Sequence, residues 1–132
     1  MKKEFVINSQ DEINLILDEI FSKIKTKKIV LLEGELGAGK TTFVKYLAKR
    51  LNIKENINSP SFNFMKTYNG LIHLDLYNYK GHIDEFIPYF EDNVVVLEWS
   101  NLFKLPFKHF VLIKIQSFND EINKRKFLVT AK

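Results

Sequence analysis

Apolar residues between Ile13 and Ile24 fall at helical spacing: Ile13, Ile16, Leu17, Ile20, Phe21 and Ile24 make one stripe. Asn8 or Ser9, just upstream, is of the type that caps a helix N-terminus. Residues 5–7 are apolar enough for a short strand before it. After the polar pair Lys27-Lys28, the unbroken run Ile-Val-Leu-Leu at 29–32 has the pattern of a parallel strand buried on both faces. Residues 34–39 are rich in glycine, and 41–51 return to helical periodicity through Phe43, Val44, Leu47, Ala48 and Leu51.

The second half has a shorter period. Phe62, Phe64 and Tyr68 lead into Asn69-Gly70, the strongest short hairpin signal, and residues 71–75 lead away from it. Residues 82–90 suit a short helix interrupted at Pro88. A second buried-strand run, Val-Val-Val-Leu at 94–97, ends at Glu98. Residues 110–115 and 126–130 alternate as two antiparallel strands around a polar turn at 117–124. The succession predicts an α/β sandwich whose sheet is mixed and mainly parallel, with antiparallel C-terminal strands. No linker, repeat or low-complexity tract divides it, so residues 1–132 are expected to form a single domain.

Composition agrees with that reading. Of 132 residues, 45% are hydrophobic and 27% charged, and 12 Phe supply core volume. The absence of cysteine removes disulfides, Cys-based zinc sites and a thiol nucleophile. No apolar run approaches the roughly 20 residues of a bilayer helix, and no apolar signal core opens the chain. A cytoplasmic protein without membrane contact is the expectation. The net charge of +4 comes almost wholly from lysine, because arginine occurs only at positions 50 and 125. Such a balance serves solubility more often than polyanion binding.

The segment Gly34-Glu35-Leu36-Gly37-Ala38-Gly39-Lys40-Thr41 matches G-x-x-x-x-G-K-[ST] at every fixed position. From this composition, a chance match anywhere in the chain has a probability on the order of two in a thousand. An apolar strand before the loop and an amphipathic helix after it are the context the motif needs. Its glycines let successive backbone N–H groups turn inward at a helix N-terminus and cradle an anion. Lys40 would lie across the β- and γ-phosphates, the Thr41 hydroxyl would ligate Mg²⁺, and Thr42 is spaced to reach the α-phosphate. ATP with Mg²⁺ is the expected ligand. Such a loop also needs an acid across the phosphates. Glu98 at the end of the run 94–97 and Asp75 at the end of 71–74 are the two candidates, either as a metal ligand or as the group that orients water.

Four segments in order carry a resemblance: Gly-Glu-Leu-Gly-Ala-Gly-Lys-Thr-Thr (34–42), Ser-Pro-Ser-Phe (59–62), His-Leu-Asp-Leu-Tyr (73–77) and Leu-Glu-Trp-Ser (97–100). Together they resemble the TsaE (YjeE) family, the P-loop ATPases of bacterial tRNA threonylcarbamoyladenosine (t6A) synthesis, over nearly the whole chain. The resemblance implies an ATPase, weak alone, that works with TsaB and TsaD to modify adenosine 37 of ANN-decoding tRNAs, meeting tRNA only through that complex. It implies nucleotide binding by Gly37, Ala38, Gly39, Lys40, Thr41 and Thr42, metal binding by Thr41 and Glu98, and catalytic roles for Asp75 and Glu98. It aligns Arg125 with an arginine near the nucleotide and Asp11 with an acidic N-terminal position. Ser59 and Ser61 fall in a nucleotide-sensing segment, and Trp99 follows the metal-binding acid. This chain departs from the pattern in having Ser61 for the usual Thr, Asn78 for the usual Arg, and a short acidic stretch at 82–92. His73 is expected to pack or hydrogen-bond rather than to catalyse.

Two rivals share the loop. A small-molecule or nucleotide kinase needs several arginines to close on the phosphates, and two in the chain argue against it. A nucleotide-gated binding module without hydrolysis keeps the same loop; phosphate release from labelled ATP distinguishes it. Arg50 lies about ten residues down the helix, some 15 Å from the phosphates. Arg125 is expected to stand apart in the C-terminal hairpin, which leaves Lys40 as the cation nearest the γ-phosphate.

Overall fold

The computed structural model describes residues 1–60 and 63–132. Among the described residues, seven strands form one sheet: β1 (Lys2–Ile7), β2 (Ile29–Glu33), β3 (Met65–Tyr68), β4 (Leu71–Asp75), β5 (Val94–Glu98), β6 (Val111–Ser117) and β7 (Arg125–Ala131). Their order across the sheet is β1-β7-β6-β2-β5-β4-β3. The strands β6, β2, β5 and β4 run parallel, and antiparallel pairs close both edges. The expected parallel character belongs to the middle of the sheet. A further antiparallel pair that the pattern did not anticipate joins β1 to β7.

Helices α1 (Ile13–Lys27) and α2 (Lys40–Arg50) cover one face. Ile16, Leu17, Ile20 and Ile24 of α1 and Phe43, Val44 and Leu47 of α2 pack there on Val30, Leu32, Val96, Ile113 and Val129, all fully buried. Each such side chain contributes about 1.5–3 kcal/mol relative to exposure. An Arg50–Asp18 ion pair at 2.5 Å and a bond from Arg50 to the Asn14 carbonyl at 2.9 Å tie α2 to α1, away from the loop. The Phe43 and Phe127 rings, 6.2 Å apart, tie α2 to β7.

The other face has no helix layer among the described residues. Leu31, Ile72, Leu74, Val95 and Leu97 are covered there by aromatics from the segments after β4 and β5, including Tyr79, Phe86, Phe90 and Phe103. The expected helix at 82–90 is instead two short 3-10 turns, Ile83–Glu85 and Ile87–Tyr89. Pro88 lacks the N–H that an α-helix there would need. Its neighbours are held down by aromatic packing, with the Tyr79 and Phe86 rings 5.1 Å apart.

The start of α1 also departs from expectation. Ser9 is extended and makes no side-chain cap; its hydroxyl donates to Asp11 Oδ1 at 2.5 Å. Glu12 closes the end instead, accepting the Asn8 N–H at 2.6 Å after a 3-10 turn at Gln10–Glu12.

Candidate nucleotide site

The loop between β2 and α2 sits at the centre of the sheet, where both neighbours of β2 are parallel and their C-terminal ends face the same way. Open α/β sheets bind ligands at that edge. At Gly34 the chain passes so close to β6 that a Cβ would lie 2.6 Å from the Ile115 carbonyl oxygen, so no side chain fits. Gly39 caps α2 at φ +113°, a conformation that side-chain-bearing residues rarely adopt.

Lys40 is buried beneath this loop. Its Nζ donates to the Gly34 carbonyl and, at 3.0 Å, to that of Glu35. It also lies 4.0 Å from the centroid of the Trp99 ring, which stacks at 4.9 Å on Tyr77. Burial pulls the Lys40 ammonium below its ordinary value, while Glu98, Asp75 and Glu35 oppose that shift. The ammonium is therefore poised for an anion that restores favourable charge around it.

Strand register brings the two acids together. Asp75 and Glu98 are direct partners across β4 and β5, and Glu98 pairs with Leu32 of β2. Side chains alternate across a strand. Leu74 and Leu97 point into the aromatic-covered face, so Asp75 and Glu98 point to the face of α2. There Thr41 Oγ1 lies 2.9 and 3.2 Å from the two Glu98 oxygens and 2.9 Å from Ser59 Oγ. Asp75 Oδ1 accepts the Tyr77 N–H at 3.0 Å. Burial, reinforced by the charge of Glu98, raises the Asp75 carboxyl above the usual value, against the pull of the Tyr77 N–H, His73 and Lys40. Leu36, Gly37, Thr42 and Trp99 complete the walls of this hollow. Ser61, expected in the same segment as Ser59, lies outside the described residues.

His73 packs and hydrogen-bonds, as expected, and its partner is Glu98. It is fully buried and its Nε2 lies 2.5 Å from Glu98 Oε2. Its place two residues before Asp75 on the same strand face was a readable signal, because alternation puts both toward α2.

A second hollow lies on the outer side of the loop, walled by Gly37, Ala38, Gly39, Thr42, Gln10, Ile13, Ile122 and Arg125. Arg125 is not remote, contrary to expectation. It opens β7 opposite Ser117 at the end of β6, and β6 runs parallel beside β2, so it arrives at the loop. Its Nε donates to the Ala38 carbonyl at 2.9 Å and Nη2 to that of Gly37 at 3.4 Å. Asp11 is exposed and bonded to Ser9; at this corner Gln10 and Ile13 form the wall instead.

Among the described residues no three His, Cys, Asp or Glu side chains cluster as a self-sufficient metal site. Mg²⁺ on a phosphate loop would keep water and phosphate oxygens as most of its ligands and would need one or two from protein. Thr41 and Glu98, within hydrogen-bond distance of each other, are the side chains here that could supply them.

A central parallel strand, a glycine loop, a helix with a buried lysine at its start and acids on adjoining strand ends define a P-loop nucleotide-binding fold. Residues 7–127 match the model of the family described as threonylcarbamoyl adenosine biosynthesis protein TsaE. The chain belongs to the TsaE family. It is similar to the tRNA threonylcarbamoyladenosine biosynthesis protein TsaE of Aquifex aeolicus, 34% identical over 104 residues, covering 74% of this chain and 77% of that protein. The Bacillus subtilis protein of the same name is 34% identical over 108 residues, covering 74% and 67%. The crystal structure of Bacillus subtilis YdiB superposes with a TM-score of 0.74 at 29% identity, covering 99% of this chain and 86% of that one. The family places this chain in t6A biosynthesis on tRNA. No helix among the described residues is long and apolar enough to cross a membrane.

Proposed function

We propose that this chain is a Mg²⁺-dependent ATPase that drives threonylcarbamoyl transfer to adenosine 37 of ANN-decoding tRNAs together with TsaB and TsaD. The observation that supports it most is the convergence of Lys40, Thr41, Asp75 and Glu98 on one hollow from α2, β4 and β5. In this reading the backbone of 37–42 and Lys40 hold the triphosphate, with Lys40 exchanging the Gly34 and Glu35 carbonyls for phosphate oxygens. Thr41 and Glu98 hold Mg²⁺, which when bound offsets charge on the β- and γ-phosphates. Asp75 orients the attacking water. His73 fixes the Glu98 carboxylate from behind. The outer hollow receives the base and ribose against Gln10 and Ile13, with Asp11 at its margin, while the Arg125 donors stay on the loop carbonyls.

Titration calorimetry with Mg-ATP tests the binding step. Lys40→Ala should weaken affinity at least tenfold, about 1.4 kcal/mol. Reconstitution with purified TsaB and TsaD tests the rest: native chain supports t6A formation and Glu98→Ala does not. Undiminished ATP affinity in Lys40→Ala, or t6A formation independent of this chain, defeats the reading.

A further inference from the structure

We infer that Arg125 is a positioning residue for the phosphate loop, acting through the loop's carbonyls rather than by touching the nucleotide. The inference rests on the reading of this loop as a triphosphate site. Four N–H groups of the Arg125 guanidinium are committed to backbone carbonyls: Ala38 at 2.9 Å, Gly37 at 3.4 Å, Ile122 at 2.7 Å and Lys124 at 2.8 Å. A guanidinium has five such donors. The fork is therefore spent on protein.

The direction of those bonds matters. In a trans peptide the carbonyl and the following N–H point opposite ways. A donor gripping the Ala38 carbonyl turns the Gly39 N–H away from Arg125. Arg125 stands on the outer hollow, while Gly39 also borders the inner one that holds Lys40, Thr41 and Glu98. Arg125 thus aims the Gly39 N–H at the side where phosphate oxygens would lie. The Ala38 N–H is already taken by the Glu35 carbonyl at 3.0 Å, which makes the aim of the next amide more consequential. Gly39, with its wide conformational range, would otherwise sample other orientations. The bonds to Ile122 and Lys124 fix the guanidinium in turn to the β6–β7 turn, and β7 is rooted in the core by Phe127.

Inorganic tripolyphosphate with Mg²⁺ separates this role from direct contact with base or sugar, since it offers only phosphates. Calorimetry on the full chain with ATP and with tripolyphosphate should show Arg125→Ala losing affinity for both by the same factor, about tenfold, one decade in Kd. The melting temperature without ligand serves as the control for a merely structural role and should change little. Arg125→Lys, which keeps one charged donor and loses the fork, should recover part of the affinity for both ligands alike; it carries the comparison if the alanine variant folds poorly. Loss of ATP affinity with tripolyphosphate binding intact overturns the inference in favour of nucleotide contact. Unchanged affinity for both overturns it outright. If the native chain binds neither ligand in a Lys40-dependent way, the triphosphate reading fails first and this inference with it.

Discussion

Asp75 carries a cost that the site needs. Its carboxyl is half-buried beside Glu98, so burial and like charge favour the neutral form and raise its titration above the ordinary 3.8. A carboxyl raised in the fold binds its proton more tightly there than in the unfolded chain. Its ionisation therefore destabilises the ligand-free protein at neutral pH, and stability is regained as pH falls through the folded value toward 3.8. Asp75→Asn keeps an oxygen for the Tyr77 N–H and removes the charge. It should raise the ligand-free melting temperature at pH 7, flatten the gain seen on mild acidification, and depress ATP hydrolysis. Thermal melts from pH 7 to 4 in chelator, set beside phosphate release, check all three; a lowered melting temperature at pH 7 would mark Asp75 as structural. Trp99 shows the same economy at one residue. Its backbone is left-handed at φ 63°, and its ring covers the Lys40 ammonium, a contact worth roughly 0.5–2 kcal/mol.

At the scale of elements, β2, the loop and β6 form one tight unit. The predicted parallel runs at 29–32 and 94–97 are β2 and β5, because unbroken β-branched and leucine stretches suit strands covered on both faces. Gly34 sets the distance between the loop and β6. Gly34→Ala drives a methyl to within 2.6 Å of the Ile115 carbonyl, backbone that is held in the sheet by its pairing with Phe127 of β7. A loss of about 1–3 kcal/mol follows from such overpacking, together with weaker nucleotide binding. Denaturant unfolding measures it, and a neutral result would mean that β6 yields at that point. The short helix expected at 82–90, interrupted at Pro88, gives way to two 3-10 turns because Ile83 and Phe86 are drawn onto the sheet face, a tertiary demand that the local sequence does not encode.

For the whole molecule, arginine supply decides what the chain can do unaided. Arg50 is bound to Asp18 and Asn14, and the Arg125 fork grips carbonyls on the outer side of the loop. Position 78 carries Asn. In the proposed reading Lys40 is thus the cation available to the transferring phosphoryl group, and an arginine finger, worth roughly 10³–10⁵ in rate, would have to come from outside the chain. Hydrolysis by the isolated chain should stay well below about one turnover per second. It should accelerate when TsaB and TsaD are added, with Glu98→Ala as the blank in a steady-state phosphate-release assay. Several turnovers per second alone, unchanged by the pair, would refute this. In the proposed reading the pair docks over the hollow's rim, where Leu36 is 70% exposed and Tyr77 lies exposed against Trp99.

The sequence by itself determined what local chemistry and periodicity encode. It carried the strand–loop–helix of the phosphate site, the two buried parallel runs, the Asn69-Gly70 hairpin, the acids at 75 and 98, and a resemblance dense enough to indicate the TsaE family. Tertiary structure alone decided which of those residues meet. The β4–β5 register sets Asp75 against Glu98. The depth of the sheet buries His73 behind Glu98, and the crossing order β7-β6-β2 brings Arg125 across 87 positions of chain to Ala38. Periodicity reports which face a side chain takes along its own element; partners across a sheet depend on strand order, which is settled by packing among segments distant in sequence.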